Sequence, residues 1–196
     1  MLAHAALALS LVVRVYDAYG VAPATLASAR ESAERIMTGA DIRLTWARCP
    51  CETPVGGAEL VVRVVSAPTS KDPGALGFSY VDIEQKSGTL ATIFADRVLE
   101  LAHLAHVNEG ELLGRAMAHE IVHLLFGTRD HTIAGLMRAK WNANELSTNQ
   151  PFDWLLSRSD NARLRQALLR RLRGSPTPAT VVAAGAAWPP LSISAP

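Results

Sequence analysis

The segment from His119 to His131 constrains the fold of this chain more than any other part of the sequence. It begins with the pattern His-Glu-x-x-His over 119–123, inside a mostly apolar stretch that predicts a helix over 111–126. Because side chains four residues apart lie on the same face of a helix, His119 and His123 can offer imidazole nitrogens to one metal ion. A helix this apolar must be buried on most sides. The pattern therefore predicts a central helix with a metal site.

The residues in and after this helix add candidates for metal binding and proton transfer. Gly127 predicts the end of the helix, and His131 follows in a loop, where it can be a third metal ligand. Three protein ligands with the fourth position left to water are typical of catalytic zinc sites, so we expect one Zn²⁺ per chain. Glu120 is next to the first ligand, where its carboxylate can act as a general base on metal-bound water. Asp130 remains an alternative oxygen ligand, or a partner that orients an imidazole.

The composition fits a single globular domain and excludes several classes of partner. The chain has 196 residues, 49% of them hydrophobic, and a net charge of +1 at pH 7. This charge does not indicate a nucleic-acid surface, and the apolar stretch over 1–13 is too short to cross a membrane. The arginines between Arg158 and Arg173 are expected on the solvated face of a terminal helix. We therefore expect a monomer with neither nucleic acid nor a membrane as a partner.

Both ends of the sequence differ in character from the middle. Residues 1–8 are interpreted as a remnant of a signal sequence or a flexible terminus, because Ala-His-Ala at 3–5 matches a cleavage pattern. On that interpretation the protein is secreted or periplasmic, and a cytoplasmic location is the alternative. Residues 174–196 contain five of the eleven prolines and no charged residue, which predicts a disordered tail. One folded domain is expected over 9–173.

Apolar periodicity predicts a strand, a helix, a run of strands and then further helices. Strands are expected where β-branched residues alternate with polar ones, and helices where apolar residues recur every three or four positions. This order indicates an α+β fold, with a twisted mixed sheet on one side of the active-site helix and a C-terminal helix. The predicted strands are 9–16, 42–47, 59–65, 78–83 and 89–94, and the predicted helices are 23–39, 95–106, 111–126 and 153–173.

Cys49 and Cys51 are the two cysteines of the chain, and they flank one proline. They are too few for a disulfide framework, and no second Cys or His pair completes a metal site around them. A bridge across one residue would be strained. Two states therefore stay open, namely free thiols or one strained and labile disulfide.

The residues around the active-site helix resemble the metzincin clan of zinc peptidases. The clan pattern is H-E-x-x-H-x-x-G-x-x-H with a methionine-containing turn beneath the metal. This chain has the same parts in the same order, at His119, Glu120, His123, Gly127, His131 and Leu136-Met137. It departs from the clan in having three residues, not two, on either side of the glycine. The order of the other elements over roughly 9–173 also resembles the clan.

The resemblance implies a zinc-dependent endopeptidase with a metzincin-like fold and a peptide or protein as substrate. Residues 9–173 would be the catalytic domain. Glu120 would be the general base, Met137 would lie in the methionine turn, and the zinc ligands would be His119, His123 and His131. In the clan the edge strand of the sheet pairs antiparallel with an extended substrate. The segment 88–94 is the candidate for that strand, which implies substrate contacts for Thr89, Leu90, Ala91 and Thr92.

Three alternatives stay open. In a second clan of zinc peptidases, the gluzincins, the third ligand is a glutamate, and Glu145 lies 22 residues beyond His123 at a compatible spacing. The second alternative is a zinc-containing binding or scaffold protein without turnover, and the third is a zinc hydrolase that acts on a non-peptide amide. The presence of Glu120 favours catalysis, because metal binding does not need that residue.

Overall fold

The computed structural model describes residues 9–69, 74–148 and 150–174 of the chain. The signal-sequence interpretation of residues 1–8 and the predicted disordered tail, apart from Gly174, lie outside these ranges. Within the described ranges, no helix is both long enough and apolar enough to span a membrane.

One mixed sheet of five strands forms the first layer of the described part of the chain. The strands are β1 (Leu9–Asp17), β2 (Ile42–Arg48), β3 (Glu59–Val65), β4 (Gly77–Asp82) and β5 (Ser87–Phe94). Their order across the sheet is β2-β1-β3-β5-β4, and neighbouring strands are parallel except β5 and β4, which are antiparallel. Because the sheet is mixed and helices complete the domain, the predicted α+β class is confirmed.

Helices form the second layer. Four of them follow the predicted order, whereas the short helix over 143–147 was not predicted. They are α1 (Pro23–Thr38), α2 (Ala95–Ala105), α3 (Glu109–Phe126), α4 (Ala143–Ser147) and α5 (Arg158–Gly174). Pro23 is at the start of α1, where its missing N–H has no intrahelical partner to lose. Asn108 caps α3 by accepting a 2.9 Å hydrogen bond from the backbone N–H of Glu111. These local signals explain why α1 and α3 start at or near the predicted residues.

The core lies between the sheet and α3. Nearly every residue of α3 from Gly110 to Phe126 is buried, as its apolar sequence predicts. Helix α1 packs closely against α3, because a Cβ atom added at Gly114 would lie only 2.2 Å from the carbonyl oxygen of Ala29. In β3, Leu60 and Val62 are fully buried, whereas Arg63 on the other face is exposed. The sheet therefore buries one face against the helices and fixes α3 in the middle of the domain.

The prediction that the segment 88–94 is the edge strand is wrong. Strand β5 lies inside the sheet and pairs with β3 on one side and β4 on the other. Its backbone groups are therefore used by two neighbours, and the reason for assigning substrate contacts to Thr89, Leu90, Ala91 and Thr92 is removed. The edge strand on this side of the sheet is β4, which pairs antiparallel with β5, and β2 lies at the opposite edge. Sequence periodicity shows where strands are but not which strand lies outermost.

Two further predictions need correction or completion. The last helix begins at Arg158 rather than at 153, because Ser157 accepts a 3.0 Å hydrogen bond from the N–H of Asp160, and Pro151–Trp154 forms a separate 3₁₀ turn. Cys49 and Cys51 form a disulfide with a Cα–Cα distance of 4.6 Å, so they are not free thiols.

Candidate metal centre

Three imidazoles converge at the C-terminal half of α3. His119 and His123 are one turn apart on the helix, and their Nε2 atoms are 3.0 Å from each other. His131 comes from the loop after the helix and places its Nε2 atom 3.3 Å from that of His123. One nitrogen from each of the three histidines lies within 4.8 Å of the others, and the described residues contain no other such group that could bind a metal. The structure therefore brings together the three histidines predicted as ligands.

The opposite nitrogens of the two helical imidazoles are fixed by backbone carbonyls. His119 Nδ1 lies 2.9 Å from the carbonyl oxygen of Leu136, and His123 Nδ1 lies 2.9 Å from that of Thr128. A carbonyl oxygen can only accept, so each Nδ1 must donate its proton. The Nε2 atoms are consequently unprotonated and present lone pairs to the centre, which is the tautomer that a metal ligand needs.

Gly127 ends α3 in a backbone conformation that few other residues adopt. Its φ is +63°, and its N–H donates to the carbonyl of His123 at 2.9 Å. A Cβ atom at this position would lie 1.9 Å from the backbone carbonyl carbon of Lys86. The close approach to the β4–β5 turn and the left-handed conformation together require glycine. This turn allows the carbonyl of Thr128 to reach His123. It also allows the loop, which is longer than in the metzincin pattern, to place His131 next to His123.

Met137 lies in a tight turn next to Leu136, whose carbonyl contacts His119. The N–H of Thr132 donates to the carbonyl of Met137 at 2.8 Å, and Gly135 adopts a φ of +80° within the turn. Leu136 and Met137 are both buried, and the Leu136 carbonyl is the one that orients His119. The turn therefore contributes a backbone acceptor to the site. Sequence inspection missed the carbonyls of Leu136 and Thr128 because every residue has one.

Glu120 is buried next to the three histidines. Ser79 of β4 donates a 2.6 Å hydrogen bond to Glu120 Oε2, and its hydroxyl is also 2.9 Å from the Glu120 backbone carbonyl. Burial raises the pKa of the Glu120 carboxyl to about 7. The hydrogen bond from Ser79 favours the ionised form and so has the opposite, smaller effect on this pKa. A carboxyl group in this state can both accept and return a proton near neutral pH. The sequence contained no signal for Ser79, since its partner is 41 residues away.

Burial has the opposite effect on the helical histidines. It lowers the pKa of His119 to about 3, and the nearby His123 and His131 add to this shift. It lowers the pKa of His123 to about 4, and the nearby His131 adds to this shift. Both imidazoles therefore stay neutral over the physiological pH range. Neutral imidazole is the form that binds a metal ion.

Glu145 and Asp130 do not join the three histidines. Glu145 lies in α4, and its carboxylate forms a 3.4 Å ion pair with Arg138. Asp130 is exposed and accepts a 2.5 Å hydrogen bond from the Thr128 hydroxyl. Neither carboxylate belongs to the group of side chains that could bind one metal ion. Within the described residues, the structure therefore favours His131 over both alternatives as the third ligand.

A cleft runs along β4 on either side of the histidines, and two cavities form it. Both are lined by Gly77, Phe78, Glu120 and His131. The first, of about 340 Å³, lies towards Gly74 and includes Trp141, whose ring contacts His119 edge-on at 5.7 Å between centroids. The second, of about 370 Å³, lies towards Val81 and Arg129. The candidate metal centre is therefore open to molecules that bind along the edge of the sheet.

Comparison with known proteins gives distant structural similarities. No protein-family model matches the sequence, and no curated protein matches it either. The structure is similar to an archaemetzincin from Methanopyrus kandleri, with 15% identity, a TM-score of 0.49, and coverage of 88% of this chain and 99% of that one. A zinc-dependent peptidase from Methanocorpusculum labreanum gives 14% identity, a TM-score of 0.49, and coverage of 80% and 99%. The GM1-bound ECX AB5 holotoxin gives 13% identity, a TM-score of 0.44, and coverage of 81% and 80%. Similarity at this level does not define the family of the chain.

Proposed function

We propose that this protein is a zinc-dependent endopeptidase of the metzincin type. The observation that carries the proposal is the convergence of three imidazole Nε2 atoms beside a buried glutamate, at a cleft bounded by the edge strand of the sheet. A purely structural histidine cluster would not need a carboxylate next to it or an open cleft above it. The combination supports hydrolysis rather than metal storage.

The donor set fits zinc. Two nitrogen ligands at the usual zinc distance and a tetrahedral angle are about 3.3 Å apart. The Nε2 separations of 3.0 Å for His119 and His123 and 3.3 Å for His123 and His131 are close to this value. His131 is exposed, so the centre is accessible from the cleft. Bound by these three residues, zinc would supply Lewis-acid chemistry, which lowers the pKa of water and polarises a carbonyl group.

The edge of β4 supports binding of an extended peptide. Among the described strands β4 pairs with β5 alone, so the outer N–H and C=O groups of residues 77–81 face the cleft side without a strand partner. A peptide added antiparallel to this edge would pass directly over Glu120 and the histidines. Strand addition obtains affinity from backbone hydrogen bonds, so it suits many peptide sequences.

Glu120 is the residue that moves the proton. Its carboxylate takes a proton from water as the water oxygen forms a bond to the scissile carbonyl carbon. The same carboxyl group then gives the proton to the amide nitrogen as the C–N bond breaks, so that the glutamate returns to its starting state. Ser79 keeps one carboxylate oxygen in place throughout, which leaves the other free for the transfer.

Replacing Glu120 with glutamine tests this proposal. Glu120→Gln removes the proton acceptor but none of the three histidines, so the variant should bind as much zinc as the wild type. Hydrolysis of a quenched fluorescent peptide library should fall by about 10²- to 10⁴-fold. If zinc-loaded wild type is as inert as the variant on every peptide, the protein is instead a zinc-containing binding protein or acts on another kind of amide.

A further inference from the structure

We propose that the cleft selects peptides with acidic side chains on both sides of the scissile bond. Arg129 binds an acidic residue on the N-terminal side of that bond, and Lys140 binds one on the C-terminal side. This inference rests on the proposed peptidase function and names the substrate class of the same site.

The two cations lie in different halves of the cleft. Arg129 lines the cavity beside Tyr80 and Val81, whereas Lys140 lines the cavity beside Gly74 and Trp141. Each cation lines only one cavity, whereas Glu120 and His131 line both, so the two cations lie on either side of these shared residues. One extended peptide can therefore contact both of them.

The charge of the cleft is strongly one-sided. Among the described residues, the lining contains three cationic side chains, Arg129, Arg138 and Lys140, and one carboxylate, Glu120. Arg138 is already neutralised, because it forms the ion pair with Glu145 and donates from Nε to the Gly135 carbonyl at 3.2 Å. A site walled by protein focuses the field of the remaining cations on a bound substrate.

Arg129 and Lys140 form no ion pair with any residue in the ranges 9–69, 74–148 and 150–174. Asp130, which follows Arg129 in sequence, is exposed and accepts from the Thr128 hydroxyl rather than from Arg129. Asp82 at the end of β4 accepts from the N–H of Gln85 at 2.9 Å. Both cations are exposed and available to a carboxylate of a substrate.

The direction of β4 assigns each cation to one side of the scissile bond. Strand β4 runs from Gly77 to Asp82, and a peptide antiparallel to it runs the opposite way. Its N-terminal residues then lie near Val81 and Arg129, and its C-terminal residues lie near Gly74 and Lys140. Exposed ion pairs are weak, so each match should improve binding about two- to fivefold.

Peptide binding and cleavage test the inference with separate readouts. We would compare three matched peptide series, which carry Glu, Gln or Lys at each of three positions on either side of the cleavage site. Each peptide is titrated into zinc-loaded Glu120→Gln protein, and its Kd is measured by fluorescence anisotropy. Arg129→Gln and Lys140→Gln are then added to that background. Arg63→Gln is the matched control, because Arg63 is exposed on the opposite face of the sheet. The kcat/KM of the single variants is measured in parallel.

The expected result is tighter binding and faster cleavage of the Glu series on both sides, and a preference that weakens as salt is raised. Arg129→Gln should abolish the preference on the N-terminal side only, Lys140→Gln on the C-terminal side only, and Arg63→Gln should abolish neither. Equal Kd and kcat/KM for Glu and Gln peptides would overturn the inference while leaving the peptidase proposal intact. No cleavage of any series by zinc-loaded wild type would contradict the peptidase proposal itself.

Discussion

The Ser79 hydroxyl donates a 2.6 Å hydrogen bond to Glu120 Oε2, which joins the edge strand β4 to α3, the helix that carries His119 and His123. The same hydroxyl lies 2.9 Å from the backbone carbonyl of Glu120. The strand that we propose to bind the peptide therefore also orients the residue that we propose to transfer the proton. The serine side chain points towards the helix, so it leaves the outer backbone edge of β4 unobstructed.

Replacing Ser79 with alanine should slow the chemical step more than it weakens binding. A hydrogen bond to a charged group is worth about 1.5–3 kcal/mol, so loss of this one should lower kcat by about tenfold or more. KM should change little, because the backbone groups of β4 that bind the peptide remain. Steady-state kinetics on one peptide separates the two parameters. Ser79→Thr keeps the hydroxyl and should recover most of the rate, and a normal kcat for Ser79→Ala would refute the positioning role.

Zinc content should depend on His131 and not on Glu145. Wild type should retain about one zinc per chain after dialysis, and His131→Ala should weaken zinc affinity by at least about 100-fold because it removes a ligand. Glu145→Ala removes only the ion pair with Arg138 and should retain the metal. His103→Ala is the matched control, since His103 is an exposed histidine on α2. Elemental analysis gives the answer, and loss of zinc from Glu145→Ala would restore the gluzincin alternative.

Much of this site could be predicted from the sequence because its main part is local. His119, Glu120 and His123 lie on one helix, and helical spacing alone places them side by side. His131 was harder to assign, because its approach depends on a left-handed turn that no periodicity describes. The left-handed turn is at Gly127 because the backbone there comes into close contact with the β4–β5 turn.

The missed features are those that depend on distant parts of the chain. Which strand is outermost depends on how strands separated in sequence pair with each other, so β4 could not be identified as the edge. Ser79 resembles any other strand serine until β4 is placed above α3. The carbonyls of Thr128 and Leu136 orient two ligands, yet a backbone group leaves no trace in the identity of its residue.

The turn at Gly127 should be intolerant of any side chain. Gly127→Ala combines a left-handed conformation with a Cβ atom only 1.9 Å from the Lys86 carbonyl carbon, so it should destabilise the fold by about 3 kcal/mol or more. Gly20→Ala is the matched control, because Gly20 has a φ of +83° and nothing within 4 Å of the added Cβ atom. It should cost only about 1–2 kcal/mol. Urea unfolding measures the free energy of unfolding of both variants. Equal losses of stability would show that the contact with the Lys86 backbone relaxes at no cost.

The stability of the metal-free protein should fall as the pH is lowered from 7 towards 4.5. In the unfolded chain each histidine gains its proton near the ordinary pKa of 6.5, whereas burial holds the pKa of folded His119 at about 3 and that of folded His123 at about 4. A lowered folded pKa stabilises the fold above pH 6.5, and this contribution is lost on acidification. Glu120 acts in the opposite sense, because its folded pKa of about 7 exceeds its ordinary value of 4.5. Its contribution is complete below pH 4.5 and is lost as the pH rises through 7.

Between pH 4.5 and 7 the effect of two histidines opposes that of one glutamate, so the histidines determine whether stability rises or falls with pH. Glu120→Gln removes the opposing group and should make the loss of stability on acidification steeper than in the wild type. His119→Gln combined with His123→Gln should reverse the effect and leave a protein that gains stability as the pH falls towards 4.5. Urea midpoints of the chelator-treated proteins are measured from pH 4.5 to 7.5. Taking the difference between each variant and the wild type removes the contribution of all other titrating groups. Parallel pH profiles for the wild type and Glu120→Gln would mean that the Glu120 carboxyl titrates normally and is not shielded from water in the folded protein.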